Sequence, residues 1–318
     1  MKSARAVRIA TRGSRLALWQ AHAVSDRLQQ AGIATEIIAM TTTGDRSQHG
    51  PVAGDDSKRQ FVKELEEALL RGDADVAVHS AKDLPVILPE GLGVAACLER
   101  EDPRDAIVLR QSVAGRHEDV DVAEARRRVG DSAIIGTGSV RRIAQLAPLL
   151  PHAVFSPIRG NVDTRLARLD GGRVDALVLA CAGLRRLGLG ARISTPLPVD
   201  LCVPAPGQGI VAVEIRTDDE ATRSVIAQID DVKAGRALAA ERLVVVALGG
   251  GCQLPLGAIA VEADGIVEMI GVVASLDGSR SIKRSVSGPA SDPEGVARRL
   301  ADALEVEGAR ALLDGARQ

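Results

Sequence analysis

The sequence predicts an α/β protein of two similar lobes, followed by a small α+β domain. Three observations predict it. A strand–turn–helix pattern occurs twice, as Ile9-Ala10-Thr11-Arg12-Gly13-Ser14-Arg15 and as Ile134-Ile135-Gly136-Thr137-Gly138-Ser139-Val140-Arg141. An acidic turn feeding an apolar run also occurs twice, as Asp73-Ala74-Asp75-Val76-Ala77-Val78 and as Arg173-Val174-Asp175-Ala176-Leu177-Val178. Strands alternating with helical stretches imply lobes of one α/β type. After Gly249-Gly250-Gly251 the pattern changes to apolar strands joined by Asp264-Gly265 and Asp277-Gly278, which are hairpin turns.

A chain of 318 residues exceeds the usual size of a single core. The expected division is 1–99 with 210–230 for the first lobe, 105–204 for the second and 232–318 for the C-terminal domain. Only Trp19, Phe61 and Phe155 are aromatic, so the cores must be aliphatic. Base-stacking platforms are almost excluded, which argues against nucleic acid as a partner. The formal charge is −2, so there is no global polycation. Lysine supplies only Lys2, Lys58, Lys63, Lys82, Lys233 and Lys283; the other basic residues are arginines. Cys97, Cys181, Cys202 and Cys252 show neither metal-finger nor redox spacing, and no metal is expected. Met1 to Ile9 carries no apolar signal core, and no stretch reaches the roughly 20 apolar residues of a membrane span. These features together predict a reduced, cytoplasmic protein with no membrane partner.

In order, Val7 to Ala10 is a strand, and Ser14 caps a helix from Arg15 to about Ala31. Leu16, Trp19, Ala23, Val24 and Leu28 are expected on its buried side, and Gly32 ends it. Ile33 to Thr42 is a second strand. Residues 46–59 are polar with Gly and Pro, a loop long enough to be a lid. A helix follows from Phe61 to Leu70, with Val62, Leu65 and Leu69 inward. Val76-Ala77-Val78 is a buried strand that runs to Lys82-Asp83 and is stopped by Pro85. After a strand at 92–97, the charged segment Glu99 to Asp105 crosses to the second lobe. There a helix is expected from Val140 to about Leu150. Pro204-Ala205-Pro206-Gly207-Gln208-Gly209 cannot be regular and is expected to be the return crossing. Strands at 256–261, 266–274 and 281–287 and one helix from Pro293 to about Leu313 complete the chain.

The chemistry centres on Asp83, since open α/β sheets bind ligands at the carboxyl ends of their strands. For an isolated Lys-Asp pair, capping a turn or pairing with Lys82 would be the simpler role. Arg12, Arg141, Arg142, Arg159, Arg165, Arg185 and Arg186 fall on turns or in first helical turns, several beside Gly and Ser/Thr. Such turns suit carboxylate or phosphate, so the expected ligand is a polyanion held between two lobes. None matches a Walker loop or GxGxxG. Cys252 follows three glycines, where a thiol has little to pack against; nucleophile or attachment point and bland free thiol stay balanced there. Cys97, Cys181 and Cys202 are expected in cores, and His79 as a packed, hydrogen-bonded histidine.

Seven ordered motifs resemble one family. They are Ile9-Ala10-Thr11-Arg12-Gly13-Ser14, Phe61-Val62-Lys63-Glu64-Leu65, Ala77 to Pro85 (AVHSAKDLP), Arg100 to Asp105 (REDPRD), Ile158 to Arg165 (IRGNVDTR), Pro206-Gly207-Gln208-Gly209 and Gly249 to Gly257 (GGGCQLPLG). The chain resembles the porphobilinogen deaminases over essentially its whole length. The resemblance implies two lobes like those of periplasmic binding proteins and a C-terminal α+β domain. It implies a monomer that joins four molecules of porphobilinogen, with loss of ammonia, into hydroxymethylbilane. It implies a dipyrromethane cofactor on Cys252 and a catalytic Asp83 that stabilises cationic intermediates. Lys82, Asp83, Thr137, Ser139, Arg141, Arg142, Arg165 and Arg186 would hold the cofactor. Arg12, Ser14, Arg159, Arg165 and Gln208 would contact substrate, and Lys58 and Phe61 would belong to the lid.

The sequence departs from the family at Ala53 to Gln60 (AGDDSKRQ), where Lys58 is kept but glycines and a second lysine are lost. Two acids there put loop closure in question. A solute-binding receptor would share the lobes but need an export signal. A transferase for a phosphorylated substrate could use the arginines but would not need Cys252.

Overall fold

A computed structural model of the chain describes residues 5–41, 56–110, 122–130, 132–249 and 254–316. The chain divides into two compact units, Met1–Glu101 with Ile210–Leu238 and Asp102–Gly209 with Ala239–Gln318. Among the described residues no helix is long and apolar enough to cross a membrane.

The chain opens with β1 (Val7–Arg12), α1 (Arg15–Gln30) and β2 (Thr35–Met40). Ser14 caps α1, its Oγ accepting from Ala17 N at 3.3 Å. The buried stripe of α1 is Ala17, Gln20, Ala21, Val24, Ser25 and Leu28. Trp19 is 40% exposed, against expectation, because at 3.6 residues per turn it falls opposite positions 17, 21, 24 and 28. Next comes α2 (Asp56–Arg71), which begins inside the stretch expected to be loop. Residues 42–55, most of the expected lid, lie outside the described part. β3 (Val76–Ser80) then leads into a 3-10 turn, Ala81–Asp83, so the strand stops before Asp83 rather than at it. β4 is Leu92–Cys97.

The second stretch holds β5 (Asp105–Leu109), α3 (Val122–Val129), β6 (Ile134–Gly136), α4 (Val140–Leu146), β7 (Val154–Ser156), α5 (Val162–Asp170), β8 (Ala176–Ala180), α6 (Cys181–Arg186) and the short β9 (Thr195–Pro196). A 3-10 turn at Ala147–Leu149 replaces the last turn expected of α4. The chain returns as β10 (Val211–Arg216), α7 (Glu220–Ile226) and α8 (Val232–Ala247). It ends with β11 (Leu256–Ala263), β12 (Ile266–Ala274), β13 (Ser281–Pro289), α9 (Pro293–Glu305) and α10 (Ala309–Gly315). The single C-terminal helix expected is thus two, separated at Gly308, whose φ of 89° no helix residue adopts.

The first sheet has the order β2-β1-β3-β10-β4. β1 is parallel to β2 and β3, while β10 is antiparallel to β3 and β4. Side chains alternate across it. Ile9, Val76, Val78, Val213 and Ile215 pack with Ala21, Val24 and Leu28 of α1 on one face. Ala10 and Ala77 pack with Leu65 and Leu69 of α2 on the other.

The second sheet, β7-β6-β8-β5-β9, repeats the plan: a parallel trio, then an antiparallel strand. The repeated acidic turn has a physical reason. Asp75 Oδ2 accepts from Arg8 N at 2.9 Å, and Asp175 Oδ2 accepts from Ile134 N at 2.9 Å. In each sheet this aspartate joins the start of the third parallel strand to its neighbour, satisfying an N–H outside the ladder.

The third sheet is the meander β11-β12-β13, covered by α9. Its first turn is Asp264-Gly265 with φ of 50° and 75°, as a two-residue hairpin requires. Within the second unit this sheet lies hard against Val203 and Pro204, where the return crossing begins. Ala258 N donates to Pro204 O at 3.0 Å, and a Cβ on Gly257 would stand 2.6 Å from Val203 O. Backbone cannot yield as a side chain can, so Gly257→Ala should lower unfolding stability by about 1–3 kcal/mol. Gly235, in α8, has its nearest such neighbour at 3.9 Å. Gly235→Ala should instead raise stability by about 0.5–1 kcal/mol. Urea midpoints measure both; equal effects of the two substitutions would contradict the packing described.

Candidate active site

Because β1, β2 and β3 are parallel, their carboxyl ends share one edge of the first sheet. Arg12 ends β1, Ser14 follows it, and Lys82 and Asp83 lie in the turn after β3. The turn after β1 is held by Thr11 Oγ1, which donates to Ala17 O at 3.1 Å. The end of β3 is held by Gln20 Nε2, 2.8 Å from Ser80 Oγ, and by Ala81 N, 3.0 Å from Ile210 O. Asp83 is half-buried on this braced turn, and its carboxylate makes no hydrogen bond or ion pair among the described residues. The capping and Lys82-pairing roles are therefore not what the structure shows. Arg12, Lys82 and Ser14 are half-buried as well, and Arg12 and Lys82 are engaged in interactions of their own.

His79 lies in β3, with Nε2 3.1 Å from Glu214 Oε2 and both side chains buried. The pair is within ion-pair distance but not aligned for a hydrogen bond, and Nε2 makes none among the described residues, against expectation. Glu214 was not legible as a partner, though an acid inside the apolar run 211–215 is itself a signal.

The second sheet gathers the other candidates at one end in the same way. Thr137 and Ser139 follow β6, Arg159 follows β7, and α6 follows β8. Thr137 is buried, and its Oγ1 accepts from Ser139 N at 3.3 Å. Ser139 caps α4, which carries Arg141 and Arg142. Gly160, at φ 98°, turns the chain toward α5, and Arg165 Nε closes that turn onto Gly160 O at 2.8 Å. Arg159 is exposed. Arg185 and Arg186 lie in the last turn of α6, not in a first turn; Arg186 Nη2 donates to Gly209 O at 2.7 Å.

Arg141 and Arg142, expected to open toward a ligand, are 5% and 7% exposed and converge on Asp105, which is fully buried. Arg141 Nη2 is 2.8 Å from Oδ2, and Arg142 reaches Oδ1 through Nη2 at 2.6 Å and Nε at 3.0 Å. Arg141 Nη1 also donates to Val203 O at 2.7 Å, and Arg142 Nη1 to Val178 O at 2.8 Å. Gln208, expected to contact substrate, is buried; its Nε2 donates to Asp105 Oδ1 at 3.0 Å and to Pro103 O at 2.7 Å. Gln208 therefore braces Asp105 in this structure. Burial opposes ionisation of Asp105, but the Arg141 and Arg142 charges outweigh it and hold the carboxyl well below the usual range. Burial, with Asp105 beside it, pushes the Cys202 thiol up to about 12, so this thiol stays protonated and donates to Oδ2 at 3.5 Å. Asp102 repeats the arrangement, with Arg104 Nη2 at 2.8 Å and Arg185 Nη2 at 3.0 Å. At Asp102 and at Asp105 two guanidiniums face one carboxylate, a donor-rich arrangement suited to anions. Asp102 and Asp105 were missed as site residues. For Asp105 the available signal was an acid opening an otherwise apolar strand.

Cys97, Cys181 and Cys202 are buried free thiols. Cys252 lies outside the described residues. Lys58 and Phe61 fall within α2, but their side chains also lie outside the described part.

Among solved structures, a Bordetella pertussis BvgS periplasmic VFT2 domain is 20% identical with a TM-score of 0.41, covering 70% of this chain and 86% of that one. An amino acid ABC transporter substrate-binding protein from Streptococcus pneumoniae is 14% identical with a TM-score of 0.37, covering 70% of this chain and 85% of that one. A porphobilinogen deaminase from Thiobacillus denitrificans is 46% identical over 311 residues, covering 96% of this chain and 97% of its relative. The family model for the porphobilinogen deaminase dipyromethane cofactor binding domain matches residues 7–224, and that for the porphobilinogen deaminase C-terminal domain matches residues 236–305. With both family domains matched in order and a relative this similar over nearly the whole length, the chain belongs to the porphobilinogen deaminase family.

Proposed function

We propose that this chain performs its family's reaction with Asp83 as the catalytic carboxylate, Cys252 as the cofactor attachment point and the second sheet's arginines as the holders of pyrrole carboxylates. The reaction is the polymerisation of porphobilinogen, with release of ammonia, to the linear tetrapyrrole hydroxymethylbilane. The observation that carries the reading is the 46% identity over 96% of the chain. The ionic clusters fit the cofactor: a dipyrromethane bears several carboxylates, and both Asp102 and Asp105 are outnumbered by guanidiniums. When bound, the cofactor supplies the pyrrole terminus to which each new unit is joined.

The residues divide the electrostatic work. Arg141, Arg142, Arg165 and Arg186 hold cofactor carboxylates, with Lys82, Thr137 and Ser139 as further donors. Arg12, Ser14 and Arg159 bind those of the incoming substrate. Asp83 does the opposite work. Loss of the amino group as ammonia leaves positive charge on the substrate, and a fixed carboxylate with no partner among the described residues can stabilise it. Its braced turn keeps that charge in place as each unit arrives. The same reading has the chain work as a cytoplasmic monomer on this small molecule, with no nucleic-acid or membrane partner. The C-terminal α+β part, 232–318, is then the domain that carries the attachment thiol.

Two outcomes are expected. Asp83→Asn removes the charge at nearly constant shape and should lower turnover by about 10²–10³ while leaving the fold intact. Turnover within tenfold of the unsubstituted protein would assign this role to another group. The protein as isolated, or after incubation with porphobilinogen, should react with Ehrlich's reagent, and peptide mapping should place the added pyrroles on Cys252. Cys252→Ser should abolish both the colour and the activity, while Cys97→Ser, Cys181→Ser and Cys202→Ser should keep them. Pyrroles mapped to another residue, or none after incubation, would overturn the attachment.

A further inference from the structure

Asp105 is not itself assigned to substrate or cofactor, yet it contacts Arg141 and Arg142, which are. We propose that Asp105 is a positioning residue for the reaction: it sets the orientation of Arg141 and Arg142 toward the cofactor carboxylates. The inference rests on the proposed function, in which those two arginines hold the cofactor.

Asp105 is the first residue of β5, and it pairs with Ala180, the last residue of β8. It therefore stands at the sheet end from which Thr137, Ser139, Arg159 and α6 emerge. Its two oxygens are divided. Oδ2 takes Arg141 Nη2 and the Cys202 thiol, while Oδ1 takes Arg142 Nε and Nη2 and the amide of Gln208. Val203 O and Val178 O then fix each guanidinium from a second side. A guanidinium presents five N–H donors in a rigid fork, so fixing some of them aims the rest.

Two adjacent buried guanidiniums repel each other, and burial makes that repulsion costly. One shared carboxylate lets both remain close, yet leaves the cluster with a net positive charge for the ligand. A second carboxylate would cancel that charge, and an apolar residue would drive the guanidiniums apart. Asp105 differs from Asp83 in this respect. The one is fully paired and buried, the other half-buried and unpaired among the described residues.

The test compares Asp105→Asn, which removes charge at constant size, with Asp105→Glu, which keeps charge but displaces it by one methylene. Each is made as the holo-protein and characterised by melting midpoint, Ehrlich-reactive pyrrole content, kcat and KM. If Asp105 positions the arginines, both variants should lose kcat by about tenfold or more, as misplacement by a fraction of an ångström does. KM for porphobilinogen should stay within about threefold, because the incoming substrate is held by other residues. A purely structural charge balance would be restored by Asp105→Glu, and that rescue would overturn the proposal. So would a folded Asp105→Asn with kcat within twofold of the unsubstituted protein. If neither Asp105 variant folds, Gln208→Met decides. It deletes one donor to Oδ1 without changing charge, and unchanged kcat in that protein overturns the proposal. Arg142→Leu separates the two levels of inference. Normal pyrrole content and turnover in Arg142→Leu would overturn the assignment of the arginines to the cofactor. Impaired Arg142→Leu beside unimpaired Asp105 variants would overturn only the positioning role.

Discussion

Asp105 is buried without exposed surface, stays ionised between two guanidiniums, and can do so only while β5, α4 and the segment 203–208 keep their places around it. A buried charge is tolerated when each lone pair has a donor, and it becomes a strong destabiliser when one partner leaves. The second unit meets that condition by register. Strand β5 starts where β8 ends, Ser139 caps α4 so that residues 141 and 142 fall in its first turn, and Gln208 is presented by a turn whose flanking glycines have φ of 75° and 90°. The Gly207 N–H is in turn held by the buried Glu241, whose other oxygen takes Ala260 N of β11. The ionic centre and the C-terminal sheet are thus fastened to the same short segment.

The two central carboxylates illustrate how environment separates roles that sequence alone makes look alike. Asp83 and Asp105 both border apolar strands, and both lie at the carboxyl ends of the parallel strands of their sheets. Asp105 gathers donors and becomes part of a positive cluster. Asp83 gathers none among the described residues and remains a negative charge held by a braced backbone. Anionic pyrrole substituents call for the first kind of site, and the cationic stage of ammonia loss for the second.

The two sheets and their internal echo were legible because their causes are local. Asp75 and Asp175 recur because each satisfies an N–H of the adjoining strand, and Asp264-Gly265 marks a hairpin because its φ angles demand it. The sequence singles out the motif arginines as anion-binding candidates, but the burial of Arg141 and Arg142 and their shared partner were not legible. Asp105 stands 36 and 37 positions before Arg141 and Arg142, and only the pairing of β5 with β8 brings it to them. His79 and Glu214 are likewise joined across β3 and β10, and no local pattern encodes that meeting. The ends of elements moved for smaller reasons: a 3-10 turn after β3, another after α4, and a left-handed Gly308 within the last helical stretch.

The central claim is that the chain itself carries the growing product. Rapid mixing with porphobilinogen, acid quenching and intact-mass measurement test it most directly. The expected result is a ladder of covalent species, each heavier than the last by one substrate less ammonia, that collapses back to the starting mass as hydroxymethylbilane appears. A single unchanged protein mass throughout turnover, with product accumulating free in solution, would contradict it.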